Sequence, residues 1–182
     1  TECGGDWWGQ IQHENKTYLF IADATGHGVP AALLTATANC CISNLRGMIT
    51  QNPEMFNSVS TIMTFVNKAV CDVGDRILMT FFIGVIDHDG MKMKYVNASH
   101  NPPFLYRKDG QAKKEDFKSL LGSVGPHLGK DPTFSYQESE VELKDSDKII
   151  LYTDGIVECT NGEKQWGNRK FIKSLVENID KS

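Results

Sequence analysis

Three aspartates stand where apolar, β-prone runs of the sequence break into glycine-containing turns. Asp6 follows two glycines, Asp23 enters the turn Ala-Thr-Gly-His-Gly, and Asp154 precedes a glycine much later in the chain. Strand ends allow carboxylates from distant segments to converge, and converging carboxylates repel each other unless a cation lies between them. Oxygen ligands without a histidine or thiolate companion suit Mg²⁺ or Mn²⁺ better than zinc. The pattern therefore predicts a hard-metal site.

Each aspartate also has an ordinary structural interpretation. Asp23 or Thr25 would cap the helix that follows the turn, while the glycines provide the bend. Asp154, after the apolar run 149–153, is equally typical of a turn. Short glycine motifs recur by chance, but three strand-end aspartates in one chain are a less common coincidence. The metal site therefore remains the working hypothesis.

Two histidines have chemistry to offer near these turns. His27, between two glycines, would orient a water molecule at the metal or would only satisfy nearby backbone groups. His100, in Ser-His-Asn-Pro-Pro, would hydrogen-bond substrate or the groups behind the metal ligands, or would be a loop residue held by the prolines. As a hypothesis, His27, His100 and Asn101 are assigned to substrate binding.

The elements that must position these residues follow from hydrophobic periodicity. The N-terminal half predicts a hairpin of strands at 7–12 and 17–22, a helix from Pro30 to about Met48, and a second helix from about 53 to 73. The period then changes to two. Strands are predicted at 77–87, 91–98, 104–107, about 134–143 and 147–153, and a last amphipathic helix at about 168–180.

The order of these elements indicates the fold class. Many antiparallel strands with a helical pair inserted early, rather than alternating strands and helices, predict an α+β protein built as a sandwich. The length of 182 residues predicts one domain. No internal repeat and no low-complexity segment interrupts the chain.

Composition and motifs exclude several classes of function. A net charge of −4 and an isoelectric point near 5.7, with scattered lysines and arginines, argue against nucleic-acid binding. The sequence contains no Ser-His-Asp arrangement and no G-x-S-x-G elbow, so it offers no nucleophile of the usual kind. The glycine-rich segment 122–129 lacks the Lys-Ser/Thr of a phosphate-binding P-loop.

The five cysteines bear on the compartment. They form no C-x-x-C pair and are odd in number, which suits a reducing environment better than a disulfide framework or a zinc site. No stretch is long and apolar enough to cross a bilayer, and no signal peptide precedes Thr1. The expectation is a cytoplasmic protein, or a cytoplasmic piece of a membrane-tethered sensor.

Four segments of the sequence form a recognisable series: 4–8 (GGDWW), 22–33 (ADATGHGVPAAL), 97–103 (NASHNPP) and 151–158 (LYTDGIVE). In these segments the sequence resembles the bacterial PPM-type (PP2C-like) serine/threonine phosphatases of the SpoIIE/RsbU group. The segments run in family order over nearly the whole chain, and Gly162-Glu163 with Trp166-Gly167 fits the acidic and aromatic-glycine ending of the family.

This resemblance implies a central antiparallel β-sandwich flanked by helices, with two Mn²⁺ or Mg²⁺ ions at one end of the sheets. By position, Asp23 would bridge both ions, the carboxylate of Asp6 and the backbone carbonyl of Ala24 would bind one ion, and Asp154 the other. The implied chemistry is in-line attack on phosphorus by a water that the cations activate, without a phosphoenzyme.

The sequence departs from the family pattern at both ends. Family members carry a final Asp-Asp-x-Thr strand that supplies a further metal ligand, and this sequence has no such motif before Ser182. It also begins almost at Gly4-Gly5-Asp6, so the preceding edge strand is missing. The expectation is a single PPM-type domain over 1–182 without its first edge strand and without its C-terminal Asp-Asp-x-Thr strand.

The resemblance implies a metal-dependent protein phosphatase acting on phosphoserine or phosphothreonine in a partner-switching pathway. Its substrate would be a phosphorylated protein of the anti-sigma-factor-antagonist kind. The helical pair at about 30–73 resembles an element through which an N-terminal sensor domain, absent from this sequence, would regulate the site. The alternatives are a catalytically silent binding module for the same partner and a phosphatase of small phosphoesters.

Overall fold

The computed structural model describes residues 4–56, 58–73, 77–160, 162 and 164–181. Over these residues the chain forms nine strands and four α-helices. The strands are β1 (Asp6–His13), β2 (Lys16–Ala24), β3 (Met79–Asp87), β4 (Lys92–Ala98), β5 (Phe104–Tyr106), β6 (Phe117–Ser119), β7 (Val124–Gly125), β8 (Ser139–Glu142) and β9 (Lys148–Ile150). The helices are α1 (Val29–Gln51), α2 (Val59–Val73), α3 (Asp154–Val157) and α4 (Gly167–Asn178), with short 3₁₀ turns at Pro53–Phe56 and Lys114–Asp116.

The chain divides into two compact units. Unit 1 comprises Thr1–His100 and Gly122–Leu143, and unit 2 comprises Asn101–Leu121 and Lys144–Ser182. The larger sheet and the two long helices belong to unit 1, whereas a three-stranded sheet and helices α3 and α4 belong to unit 2. The chain therefore leaves unit 1 once, returns to it, and leaves again.

The sheet of unit 1 is antiparallel along β1-β2-β3-β4, and β4 also pairs antiparallel with β8 and, over two residues, parallel with β7. Its tight turns confirm the hairpins that the sequence predicts. The turn between β3 and β4 is held by the Asp87 carboxylate, which accepts hydrogen bonds from the backbone N–H groups of Asp89 and Gly90. These bonds hold the pKa of Asp87 below its usual value, although partial burial opposes them.

The core of unit 1 lies where α1 and α2 pack with the sheet. Buried side chains recur along α1 at the spacing of one helix face, and small ones such as Ala31 and Ala38 permit close packing. From the sheet side, Trp7 lies against Phe20 and Phe81, with ring centroids 6.3 Å apart in both pairs. The α1 residues on this face are Ala31, Leu34, Ala38, Ile42, Leu45 and Ile49.

Unit 2 has a small sheet of order β6-β5-β9 and a core made mainly of aromatic rings. Tyr106 packs on Phe117 at 4.7 Å, and Phe171 of α4 packs on Tyr152 at 4.8 Å between ring centroids. Three residues per strand leave little room for alternating aliphatic side chains, so rings supply most of the buried apolar surface.

The α+β class with antiparallel sheets and helices is confirmed. Several boundaries differ from the sequence-based expectations. The second helix begins at Val59 instead of about 53, because Pro53–Phe56 forms a separate 3₁₀ turn. The predicted strand at 134–143 shortens to Ser139–Glu142.

Two further predictions concern membranes and cysteines. Within the described part of the chain, no helix has both the length and the apolar character that a bilayer crossing requires. Cys40, Cys41, Cys71 and Cys159 are free thiols, and Cys3 lies outside the described residues.

Candidate metal centre

Asp6 and Asp23 face each other at the end of the β1–β2 pair. They are direct partners in the register, and carboxylate oxygens of the two side chains lie within 4.8 Å of each other. Like charges on directly opposed strand positions destabilise a sheet unless something compensates them. A divalent cation that binds both carboxylates would provide that compensation.

Gly5 gives this strand end its shape. A Cβ at this position would lie 2.7 Å from the carbonyl oxygen of Ala24 and 3.2 Å from Oδ1 of Asp23, so only glycine fits beside the two oxygens. The Gly5 carbonyl accepts a hydrogen bond from the Ala24 N–H at 3.1 Å, and it lies 3.0 Å from the Thr35 hydroxyl of α1, which shares its one proton with the Ala31 carbonyl at 2.9 Å. The strand end is therefore fixed by both β2 and α1.

The turn after Asp23 is held by Thr25 rather than by a helix cap. The Thr25 hydroxyl donates to the Leu78 carbonyl at 3.0 Å and accepts from the Leu78 N–H at 3.1 Å. The N-cap position of α1 is Gly28, which makes no side-chain capping bond. The interpretation of Asp23 or Thr25 as a cap of this helix is therefore wrong, and their side chains serve other contacts.

His27 lies in the exposed turn before α1. Its two neighbours, Gly26 and Gly28, have φ values of +89° and +80°, which strongly favour glycine. The turn therefore requires its glycines for backbone reasons, and it presents the His27 side chain to solvent.

His100 is nearly buried, with 4 % of its surface exposed, and is linked to the strand that carries Asp23. Its Nδ1 lies 2.8 Å from the Thr80 hydroxyl, which donates to the backbone carbonyl of Asp23 at 3.3 Å. A hydroxyl carries one proton, so when Thr80 gives it to Asp23, Nδ1 of His100 must be the donor of the other bond. The alternative of a loop histidine held only by prolines does not describe this arrangement.

Asn97 fixes the backbone at His100 and was not singled out by sequence reasoning. Its side-chain amide donates to the His100 carbonyl at 3.0 Å, and its Oδ1 accepts from the His100 N–H at 2.7 Å. Between them Ser99 adopts φ of +57°, a left-handed conformation that this amide bridge encloses. The only signal in the sequence for this role is that Asn97 is a polar residue at a position of β4 where the alternating pattern predicts a buried side chain.

Two of the assigned residues belong to unit 2. Asp154 is half-buried and is the first residue of α3, where its carbonyl accepts from the Glu158 N–H at 2.7 Å. Asn101 is half-buried and precedes β5. Asn101 lies between β4 and β5, as the sequence predicts, whereas α3 was not expected at Asp154 because a four-residue helix gives no readable periodicity.

Within unit 1, the structure thus brings together some of the residues that the sequence analysis assigned to metal and substrate binding. Asp6, Asp23 and the backbone of Ala24 share one strand end, and His100 joins it through Thr80. The donor atoms on offer are oxygens, which is the chemistry that Mg²⁺ and Mn²⁺ select. The residues present therefore fit a hard divalent cation.

A family model described as Stage II sporulation protein E (SpoIIE) matches residues 13–182. The chain belongs to the SpoIIE family. Phosphoserine phosphatase RsbU of Bacillus subtilis (strain 168) is 26% identical over 177 residues, which cover 97% of this chain and 49% of RsbU. The chain thus spans about half the length of that curated relative.

Solved structures show the same fold as this SpoIIE-family chain. The SiaA-PP2C domain of Pseudomonas aeruginosa has a TM-score of 0.74 at 20% identity and covers 96% of this chain and 66% of that one. RsbX, solved in complex with magnesium, has a TM-score of 0.65 at 17% identity and covers 96% of this chain and 79% of that one. The fold is therefore PP2C-like. Of the Gly162-Glu163 pair, which the sequence analysis matched to the acidic ending of the family, only Gly162 is among the described residues.

Proposed function

We propose that this SpoIIE-family chain is a metal-dependent protein phosphatase that hydrolyses phosphoserine or phosphothreonine. The observation that carries the proposal is the opposed pair Asp6 and Asp23, with oxygens within 4.8 Å, beside the Ala24 carbonyl. Membership of a family with a relative named phosphoserine phosphatase supports the reaction class.

Asp23 would bind both of two cations, with Asp6 and the Ala24 carbonyl on one ion and Asp154 on the other. The all-oxygen donor set favours Mg²⁺ or Mn²⁺. Unit 2 would supply Asp154 from the start of α3, where the helix backbone fixes the residue but leaves the carboxylate at the end of the element. When bound, such cations supply Lewis acidity, which acidifies water and neutralises charge on phosphoryl oxygens.

The remaining residues would position rather than react. Thr80 holds the Asp23 backbone and the His100 ring in one hydrogen-bonded chain, so a movement of one is transmitted to the other. Gly5 keeps side-chain atoms away from the Ala24 carbonyl. His27, His100 and Asn101 are proposed to contact the substrate phosphoryl group or its neighbours.

The proposed substrate is a phosphorylated protein of the anti-sigma-factor-antagonist kind in a partner-switching pathway. A sensor domain N-terminal to this chain would control the enzyme through α1 and α2. The link is physical, because the Thr35 hydroxyl of α1 contacts Gly5, next to Asp6. A shift of α1 would therefore move the strand end that carries a proposed ligand.

The test is Mn²⁺-dependent hydrolysis of p-nitrophenyl phosphate, compared between the native chain and Asp23→Asn. Asn keeps the shape of the side chain but removes the charge, so turnover should be abolished. Asp72→Asn, an exposed aspartate at the end of α2, is the matched control and should retain native activity. Calorimetric Mn²⁺ binding provides a readout independent of turnover, and Asp6→Asn and Asp23→Asn should both weaken it.

Near-native activity of Asp23→Asn would contradict the proposal that Asp23 binds both cations. Tight Mn²⁺ binding without hydrolysis of any phosphomonoester would favour a catalytically silent binding module. Hydrolysis of p-nitrophenyl phosphate without any action on phosphoserine peptides would instead favour a phosphatase of small phosphoesters.

A further inference from the structure

Two neighbouring cavities of unit 2 form a trough along helix α4. One has a volume of about 540 Å³ and is lined by Gly155, Ile156, Cys159, Lys164, Trp166 and Lys170. The other has a volume of about 700 Å³ and is lined by Lys114, Arg169, Lys170, Ile172, Lys173 and Val176. Lys170 lines both cavities, so they are adjacent, and together they are called the α4 trough.

The α4 trough combines a cationic rim with apolar surface. Its cations are Lys114, Lys164, Arg169, Lys170 and Lys173, and among the described residues no carboxylate lines either cavity. On α4, Ile172 and Val176 are half-buried against the aromatic core, whereas Arg169 and Lys173 are exposed beside them. The spacing 169, 172, 173 and 176 places these four residues on one helix face over about 10 Å.

The positive charge of the trough contrasts with the rest of the chain. Unit 1 carries seven lysines and arginines against thirteen aspartates and glutamates, and unit 2 carries twelve against ten. The formal charges of the units are therefore −6 and +2, and five of the twelve cations of unit 2 line this one groove. Such a groove attracts anionic partners over several ångströms of solvent.

Three cations of the α4 trough are not consumed by ion pairs within the described part of the chain. Over the described residues, Lys114, Arg169 and Lys170 form no ion pair. Lys173 approaches Glu177 one turn later at 3.8 Å, but both side chains are more than half exposed, so this contact stabilises the helix little. The positive charges of these side chains are therefore little neutralised by carboxylates of the described residues, and they remain able to bind the carboxylate of a partner.

We propose that the α4 trough binds an acidic segment of the phosphoprotein substrate, with carboxylates on the cationic rim and apolar side chains against Ile156, Trp166, Ile172 and Val176. The inference rests on the proposed function, because the trough starts at Gly155, directly after the proposed ligand Asp154. A small inorganic anion would bind the cationic side chains but would not contact the apolar surface of the trough. A polypeptide with alternating acidic and apolar residues uses both parts.

The probes are two synthetic phosphoserine peptides that differ only in the residues around the phosphoserine. One carries glutamates and leucines, and the other carries glutamines in place of the glutamates. At low salt the native chain should hydrolyse the glutamate peptide with a kcat/KM roughly tenfold higher than the glutamine peptide, and added salt should erase the difference. The ratio of the two kcat/KM values is taken for each protein separately, so a variant that is simply less active on both peptides keeps the native ratio.

The double variant Lys170→Glu, Lys173→Glu should reverse this preference, whereas Lys170→Arg should keep it because the charge is retained. The matched control is Lys68→Glu, which makes the same charge change at an exposed lysine of α2 in unit 1. It should keep the native ratio. A native ratio in the double variant, or equal hydrolysis of both peptides by the native chain, would overturn the proposal.

A binding measurement separates this proposal from the proposed function. Fluorescence anisotropy of an unphosphorylated glutamate–leucine peptide, with chelator present, reports trough binding without any catalysis. Lys170-dependent binding by a chain that hydrolyses no phosphomonoester would retain the trough and reject the phosphatase. Displacement of the peptide by inorganic phosphate at equal concentration, or tighter Lys170-dependent binding of single-stranded DNA, would assign the trough to another ligand and overturn the proposal.

Discussion

Unit 1 and unit 2 bury their apolar side chains by different means. In unit 1, the four principal strands have seven to nine residues, and two helices of 23 and 15 residues pack with them. In unit 2 each strand has three residues, and the core is a cluster of five buried aromatic rings. Unit 2 also depends on the ion pair between Arg107 and Asp147.

The difference teaches which half should open first. A large sheet covered by helices gains most of its stability from buried area, which individual polar substitutions barely change. A small sheet with few apolar contacts depends more on each single ring and each polar bond. Unit 2 should therefore be the less stable unit, and the predictions below test this comparison.

The largest effect should come from Phe81→Ala in β3. Phe81 is fully buried and contacts Trp7 and Phe20, so its removal should lower the free energy of unfolding by about 3–5 kcal/mol. Urea denaturation followed by circular dichroism measures the change. Phe81→Leu, which retains most of the volume, should cost much less, and equal costs for the two variants would show that the core tolerates the cavity.

The next effect should come from Asp147→Ala in unit 2. The Asp147 carboxylate accepts two hydrogen bonds from Arg107, at 3.0 Å to Nε and 2.6 Å to Nη2, and one from the Lys144 N–H at 2.8 Å. Its side chain is only 4% exposed, so removal leaves a partly buried guanidinium and should cost about 2–3 kcal/mol.

Unit-specific fluorescence checks this prediction. Trp166 packs against Phe171 and reports on unit 2 once Trp7 and Trp8 are replaced by phenylalanine. Asp145→Ala removes an exposed carboxylate from the same turn and is the matched control. If Asp145→Ala destabilised unit 2 as much as Asp147→Ala, net charge rather than the ion pair would be responsible.

Acid should weaken unit 2 through the same carboxylate. Burial alone would raise the pKa of Asp147, but the hydrogen bonds from Arg107 and from the Lys144 N–H, together with the charges of these two side chains, outweigh it and hold the pKa below its usual value. A carboxylate with a lowered folded pKa stabilises above its unfolded pKa of about 3.9, and this contribution is lost as the pH falls towards the folded pKa. Urea denaturation followed by Trp166 emission at a series of falling pH values should show that unit 2 of the native chain loses stability. The Asp147→Ala variant should not show this additional loss.

The smallest effect should come from Glu138→Gln in unit 1. The Glu138 carboxylate accepts from the Ser60 N–H at 3.1 Å and the Ser58 hydroxyl at 2.8 Å, next to the N-terminus of α2. Glutamine retains acceptor oxygen but loses the charge that favours a helix N-terminus, so the cost should be about 1 kcal/mol. Glu140→Gln, which loses an exposed ion pair to Lys92, should cost less than half of that. Equal denaturation midpoints for the two variants would contradict the helix-terminal role.

The sequence predicted the long elements well and the short ones poorly. The first hairpin, α1, β3, β4 and α4 appear close to where periodicity placed them, because each extends over several repeats of its pattern. The strands β6 and β7 have three and two residues, too few for a period to be visible. Phe134 and Tyr136 alternate like a strand, but their rings pack on each other at 4.8 Å outside β8.

The same limit applies to the candidate site. Asp6 and Asp23 could be selected because their residue type and glycine context are local features of the sequence. Hydrogen bonds to the backbone of this strand end come from Thr35, at the Gly5 carbonyl, and from Thr80, at the Asp23 carbonyl, and both are ordinary polar residues in their own segments. Only the register between strands and the packing of α1 reveal those contacts. Asp154 and its relation to the pair stay a prediction.

The path of the chain sets an order of folding during synthesis. Unit 1 is complete once Leu143 has left the ribosome, whereas β5 must wait for β9, which pairs Phe104 with Ile150. Domains generally fold as units as the chain emerges. A nascent chain would thus bring Asp6 and Asp23 together before Asp154 is synthesised, so the proposed metal site would lack one of its three carboxylates until β9 and α3 had emerged.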